Sequence, residues 1–561
     1  MMEVQDEINI LLTQLSGDII YQLEDYSEPL PKKEKNPLGR RNNVVFCYTR
    51  ESLLSFREKL NSENFDSNSY FLIVSKPRDL LEIPKVLSVL YTSSWATEIP
   101  NLLMMIHIPG NPDVILYTYF PYQTNVCRYL RPHVINSYDL QTHKWKNHKF
   151  YGSKTHNMSG CPLRIATFNF EPFMMVNKND EGKLIASGIE GDLLNFLSET
   201  IDFTPEIILA DEKWGEIYDN GTSSGATEMI VNKEADIAIG YFISHPNRES
   251  VMFSSLVYYT SNAIWAVPPG EMYTALEKLM KPFDTSLWIG FFIVLILAFL
   301  IIEIINFCPE KIQDFVYGEK IRNVRLNVVN VMLEVSLPKI PARNFARTVL
   351  ILFVVYCFLM SNSYKGSLFN FMQKDLRNPP LDSTEKLLQN NFNFYAMSAS
   401  ETSLNATQNI FKRTSFVDDE KIIEEIYDNL TDSSFKNALL VPEESWAYKN
   451  IHSESTINYN RAKDVMFQQN MVIYMNKLSI FKVELDKRLR ELVCYGFIDM
   501  WAKKYTTSGF SYTDSTQTTK QLNLEHLEGA FLLVAVGWFL CIFIFLFELF
   551  YFKLKKLLKK N

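Results

Sequence analysis

The chain has 561 residues, 47% of them hydrophobic, and a formal net charge of −8. That length leaves room for roughly three or four domains, and an acidic balance without a basic, aromatic-interleaved stripe excludes a general nucleic-acid binder. The 7 Cys and 8 His lack CxxC or Cys/His ligand spacing, so no metal and no cofactor is expected. There is no nucleophile–base pair and no phosphate loop either, and the chain is not read as an enzyme.

In chain order, residues 1–155 come first. They open on MMEVQDEINILLTQLSGDII, which has neither a basic n-region nor a sustained apolar h-region and is not a signal peptide. The topology argued below needs the N-terminus outside, so the expectation is an incomplete start. Farther on, VVFCY and YFLIVS read as strands of a partial α/β amino-terminal domain. Residues 161–268 alternate strands and helices: CPLRIATF up to a turn at Glu171-Pro172, a helix over Gly188–Thr200, the strand IDFTPEIIL, a helix over Thr222–Asn232 and the strand ADIAIG. That is the grammar of a layered α/β domain. Similar grammar returns later. Short helices are expected at Asp382–Asn390, Asp418–Asn429 and Ile480–Cys494, and strands at NFNFYAMS, Asn437–Val441 and Met471–Tyr474.

Three apolar stretches divide these halves: Leu287–Ile305, Thr348–Phe371 and Ala530–Phe552. Each suits the ~20 residues a bilayer core demands. The apolar run Leu326–Pro341 is too short to span; an interfacial helix and a re-entrant hairpin both fit it. The tail Lys553, Lys555, Lys556, Lys559 and Lys560 favours a cytoplasmic C-terminus, and three crossings then place the N-terminus outside. Basic loops agree: Lys311, Lys320, Arg322 and Arg325 follow the first span, and Lys339, Arg343 and Arg347 precede the second. The sequons at Asn157, Asn220, Asn405 and Asn429 all fall on the outer side. Cys357 and Cys541 lie in spans and Cys308 beside one, which leaves Cys47, Cys127, Cys161 and Cys494 as disulfide candidates.

This layout, with particular residues, resembles the ionotropic glutamate receptor superfamily, and within it the divergent arthropod branch of chemosensory ionotropic receptors. Asn157-Met-Ser-Gly-Cys161-Pro-Leu looks like that branch's entry to its ligand-binding region, and Phe170-Glu171-Pro172-Phe173 like the family's E-x-P-aromatic stretch. Gly188 with Gly191-Asp192-Leu193 is similar to the family's helix start, and Ala235-Asp236-Ile237-Ala238-Ile239, Arg248-Glu249 and Phe253-Ser254 to its "ADIAI…RE…FS" block. Asn476-Lys477, Gly496-Phe497, Trp501 and Lys503-Lys504-Tyr505 resemble its closing signature, and Ser361–Phe369 (SNSYKGSLF) its gating segment. The likeness covers about 157–552.

The resemblance implies a membrane protein with a bilobed α/β, periplasmic-binding-protein-like ligand-binding domain, split by an ion-channel core of three transmembrane helices and one re-entrant loop. Its parts would be the amino-terminal domain 1–155, a first ligand-binding segment 156–282, a transmembrane helix 283–306, a pore loop 326–341 and a gating helix 345–373. A second ligand-binding segment 374–520, a last transmembrane helix 526–552 and the cytoplasmic tail 553–561 follow. The expected function is a non-selective cation channel subunit for smell or taste, in the plasma membrane, within a heterotetramer containing co-receptor subunits. A non-conducting ligand-binding subunit is the alternative, and a transporter a more distant one.

Residue by residue, Arg248 matches the arginine that clamps a ligand carboxylate, a role suited to a planar two-pronged donor; a solvated surface arginine is the plainer reading. Phe173 matches an aromatic pocket roof and equally a core residue. Tyr241 and Ile243 replace a Pro and a Thr that hold ligand in glutamate receptors, and their ammonium-binding acid falls near Glu443, uncertain by one position. Thr402 stands in a stretch loosely like their distal-carboxylate site. The implied ligand is a small polar or acidic molecule other than glutamate. At the gate, Ser361, Ser363 and Gly366 permit close helix approach, beside Tyr364 and Lys365; Lys365 either repels cations at the outer mouth or snorkels away from it. Glu334, the only acid of the pore loop, would attract permeant cations.

Overall fold

The computed structural model describes residues 42–47, 49–59, 69–77, 79–91, 99, 101–108, 110–124, 126–128, 130–148, 150–218, 220–318, 321, 323–373, 377–452, 459–477, 479–510 and 524–558. The leader question, Lys320, Arg322, Lys559 and Lys560 lie outside the described residues. Two compact units emerge. One comprises Met1–Trp265, Leu440–Ser453 and Val465–Ser511, the other Ala266–Leu439, Glu454–Asp464 and Tyr512–Asn561.

Among the described residues, the first unit holds, beside two small two-stranded sheets, two large ones. In the amino-terminal one, Asn42–Phe46, Tyr70–Ser75 and Leu102–His107 run parallel, and Asp113–Thr118, His133–Asp139 and Lys144–Trp145 extend the sheet antiparallel. The period of two in YFLIVS buries Phe71 and Ile73, which join Leu53 and Phe56 of the helix Arg50–Lys59 and Val86 and Leu87 of the helix Glu82–Tyr91 in one apolar core. The second sheet is ordered Phe203–Leu209, Cys161–Thr167, Ile237–Ala238, Tyr474–Asn476, Met252–Ser254, with Tyr474–Asn476 antiparallel to both neighbours. Leu193, Leu194 and Leu197 bury the inner face of the helix Ile189–Ile201, which stops at Asp202 in the left-handed conformation.

Two of the four candidate cysteines pair. Cys127 and Cys161 form a disulfide across 34 residues, while Cys47 and Cys494 are free. Beside it, Asp236 receives Arg128 at 2.6 Å and Arg164 at 2.9 Å. The small hairpin of Tyr122–Gln123 and Val126–Cys127 is thus stapled covalently, and through Asp236 by charge, to the strand Cys161–Thr167.

Some expected elements differ. The strand ADIAIG shrinks to Ile237–Ala238 because Gly240 (φ 140°) and Tyr241 (φ 53°) turn the chain. Met471–Tyr474 is the junction of two strands, Asn460–Met471 and Tyr474–Asn476, rather than one. The twelve-residue strand Asn460–Met471 carries too many polar residues to show a clean period of two.

In the second unit, helices run over Thr285–Asn306, Asn344–Gln373 and Leu524–Leu558, and each contains a segment long and apolar enough to cross a membrane. Their apolar side chains face outward, among them Phe292, Leu300, Leu352 and Phe543, as lipid contact requires. The run Leu326–Pro341 falls on a short helix, Val324–Met332, and an irregular stretch that turns at Glu334 (φ 58°). The soluble part centres on parallel strands: Asn393–Ala396 lies between Thr414–Phe416 and Asn437–Pro442. The helix Glu420–Asn429, capped by Asp419, buries Ile423, Ile426 and Tyr427 there.

Candidate ligand-binding site

Arg248 sits on the short helix Pro246–Val251, reached through the turn at Gly240–Tyr241. The intervening backbone is fixed by pairing: Val472 N–H donates to the Phe242 carbonyl, Ser244 N–H to the Asn470 carbonyl, and Ile243 bridges Met471. The guanidinium is half-buried. Its Nη2 donates to the Gly215 carbonyl at 3.1 Å, and its carbon lies 5.6 Å from the Phe242 ring centre. Burial pulls its pKa below the ordinary guanidinium value, opposed by Tyr474 and Glu216. Among the described residues no carboxylate pairs with it, so most of a five-donor fork remains for an anion.

An aromatic wall adjoins it. Phe173 is fully buried, with its ring centre 4.4 Å from that of Tyr241, and Phe170 stacks on Tyr241 at 4.8 Å. Trp214 contacts Phe168 and Phe170, and its indole N–H donates at 3.0 Å to the carbonyls of both Gly240 and Tyr241. Gly188 is required here: a side chain on it would meet the carbonyl oxygens of Pro172 at 2.5 Å and Phe173 at 2.7 Å.

Tyr241 is 3% exposed. Its hydroxyl turns inward, to Ser261 at 3.3 Å and to a short contact with Gln469. Ser261 donates to Glu444 Oε2 at 2.5 Å and Tyr259 to Glu444 Oε1 at 2.7 Å. Burial raises the Glu444 pKa, against the pull of these two hydroxyls. Its neighbour Glu443, only half-buried, accepts from Asn262 at 2.9 Å. Of the two adjacent acids, Glu444 therefore occupies the interior, and sequence reasoning had favoured Glu443. Ile243 contributes its carbonyl, which accepts from the Tyr474 hydroxyl at 3.2 Å. Thr402 belongs to the other unit, exposed on the short helix Glu401–Leu404.

At the membrane segments, Lys365 lies 2.5 Å from Glu334. Tyr364 donates to the Leu279 carbonyl at 2.9 Å, Ser367 donates to that of Pro282 at 3.0 Å, and Ser363 and Gly366 are exposed. Glu303 pairs with Arg325 at 2.5 Å. Asn157, Asn220 and Asn405 are exposed and Asn429 is half-buried. Among the described residues no His/Cys/Asp/Glu group could hold a metal ion.

Comparison with known proteins accounts for this layout. Residues 2–157 match a family described as putative ionotropic receptor, ligand binding domain. Residues 162–267 match the ligated ion channel L-glutamate- and glycine-binding site, and residues 284–538 the ligand-gated ion channel family. The three matches follow one another along the chain, and the last of them takes in all or part of each of the three apolar helices. Among individual relatives, the chain is 32% identical over 160 residues to human (Homo sapiens) "Glutamate receptor ionotropic, delta-2", covering 28% of this chain and 16% of that protein. It is 24% identical over 256 residues to "Glutamate receptor 2" of Caenorhabditis elegans, covering 42% of this chain and 26% of the relative. A "Probable glutamate receptor" of Lithobates berlandieri matches at 24% over 258 residues, 43% of this chain and 50% of the relative. The chain thus spans well under a fifth of the delta-2 receptor.

Proposed function

We infer that the chain is a subunit of a ligand-gated, non-selective cation channel serving chemosensation, whose ligand is a small acidic or polar molecule. The observation that carries this reading is Arg248: a half-buried guanidinium without a carboxylate partner among the described residues, lying against the Phe242 ring. It lies in a chain whose next segment matches ligand-gated channels. Ligand would favour the closed form of the bilobed domain, and the pore would respond only insofar as the two forms differ in ligand affinity. The linkers at Ile340–Phe345 and Asp375–Pro380 would carry the pull to the gating helix; residues 375 and 376 lie outside the described residues.

The Glu334–Lys365 pair favours a second reading. It neutralises the one acid of the pore loop, so this chain would supply ligand specificity while co-receptor subunits of a heterotetramer supply most of the conduction path. Expression alone in a cell without relatives should give little ligand-evoked current, and adding a co-receptor should restore it. Arg248→Ala should then lose responses to acids by about 30-fold or more, the effect of truncating one partner of a desolvated charged pair. Robust current from the chain alone would refute the obligate partner. An unchanged dose–response in R248A, with surface expression intact, would remove the carboxylate clamp.

A further inference from the structure

Behind the anchor loop lies a buried acid. Glu190, in the first turn of the helix Ile189–Ile201, is 0% exposed. Its Oε2 accepts the Tyr241 N–H at 2.6 Å, its Oε1 takes the Tyr258 hydroxyl in a short contact, and the Gly240 N–H adds a further bond. The turn it holds is the one with positive φ at Gly240 and Tyr241 from which Ile243 and Arg248 are carried. Carboxylates away from water survive only with such donors or a cation.

No cation reaches this acid among the described residues. Asp192, on the same helix, takes Lys504 at 2.8 Å and Tyr505 at 3.2 Å. The packed strand Phe203–Leu209 brings only Glu206, and the packed helix Phe497–Phe510 brings Asp499, Lys503 and Lys504, all exposed. Glu444 reaches Glu190 only through Ser261 and Tyr241. Burial consequently pushes the Glu190 pKa up to about 7, against the opposing hydrogen bonds.

The geometry points to Glu190 as a proton-linked positioning residue of the anion anchor: its carboxylate holds the 240–241 turn that carries Arg248, so proton uptake and carboxylate-ligand binding are coupled. The inference rests on Arg248 being the anchor. A charged acceptor holds a backbone N–H about twice as strongly as a neutral one, so the turn is firm with Glu190 ionised and looser once it is protonated. Ligand affinity therefore falls on acidification, and by reciprocity bound ligand lowers the proton affinity of Glu190.

The test uses the full-length protein in lipid nanodiscs between about pH 6 and pH 8.5, where butyrate and phenylacetate stay ionised. Infrared difference spectra should show a protonated-carboxyl component with a midpoint near neutrality in the wild type, which Glu190→Gln removes and Glu444→Gln, at another buried acid, leaves in place. Tyr258→Phe removes a donor to the carboxylate and should move that midpoint upward, which a merely structural role would not do. Calorimetric affinity for either acid should fall about tenfold from the alkaline to the acid end, one unit of linked pKa, and should be flat and weak in Glu190→Gln. The same pH dependence in both proteins, or a near-neutral component that Glu444→Gln removes and Glu190→Gln keeps, overturns the proposal. Binding that is pH-insensitive yet lost in R248A leaves the anchor standing and removes Glu190 from it. No binding at any pH defeats the anchor, and the coupling with it.

Discussion

Glu443 and Glu444 are chemically identical neighbours with different fates, and the difference comes from helix phase. Glu444 turns inward at the start of the helix Glu443–His452 and is 6% exposed, with both oxygens engaged by Ser261 and Tyr259. Removing it leaves two hydroxyls without their acceptor, and each such loss costs about 1–3 kcal/mol. Glu444→Ala should accordingly lower thermal stability by about 2–4 kcal/mol, whereas Glu443→Ala, at a half-buried position where solvent can replace lost hydrogen bonds such as that to Asn262, should cost less. Equal melting temperatures for the two variants would refute this assignment. From the sequence, the resemblance pointed near Glu443 with an uncertainty of one position, and which of two adjacent acids is buried is decided by packing that the sequence does not display. Glu190 was less legible still: its partners Tyr241 and Tyr258 lie 51 and 68 residues away along the chain. Arg248 was singled out because its surrounding block resembles a family motif.

The three spans were readable as elements because bilayer thickness sets a length no soluble helix needs to meet. The helices Gly225–Val231 and Glu420–Asn429 were readable from apolar spacing within their own residues. Strands whose burial depends on distant partners were not, and Asn460–Met471 is the clearest case. Between these extremes lies the irregular stretch after Met332, whose turn at Glu334 sits against Lys365 on the long helix Asn344–Gln373. Both side chains are more than a third exposed, and in water such a pair is worth about 0–1 kcal/mol. In a dry pore the same contact is stronger because less solvent screens it. With a co-receptor present, Glu334→Lys or Lys365→Glu should each shift reversal potential or block, or produce a leak, without moving the ligand dose–response. The double charge swap should recover most of the wild-type behaviour. If the swap is as defective as the single changes taken together, the contact does not tie loop to helix; if neither single change alters permeation, these side chains lie off the conduction path.

On the scale of the whole molecule, the observation to explain is one chain that combines α/β segments with three apolar helices. An apolar helix has no such use in a soluble protein, and its outward-facing Leu, Ile and Phe need lipid. The proposed orientation rests on charge and on acceptor sites, which are independent. The Lys-rich end beyond the last helix favours the cytoplasm, and with the three apolar helices among the described residues as crossings the α/β segments and every sequon would lie outside. Three of those asparagines are exposed, and the half-buried Asn429 should be the least occupied. The expected result is that enzymatic deglycosylation increases gel mobility, and that Asn157→Gln, Asn220→Gln and Asn405→Gln each remove one step of the shift while Asn429→Gln removes little. An epitope placed after Asn561 should stain only permeabilised cells. If the tail stains on intact cells, or if a tag in the 326–341 loop is glycosylated when given its own sequon, the orientation is reversed and Arg248 faces the cytoplasm, where no external ligand reaches it.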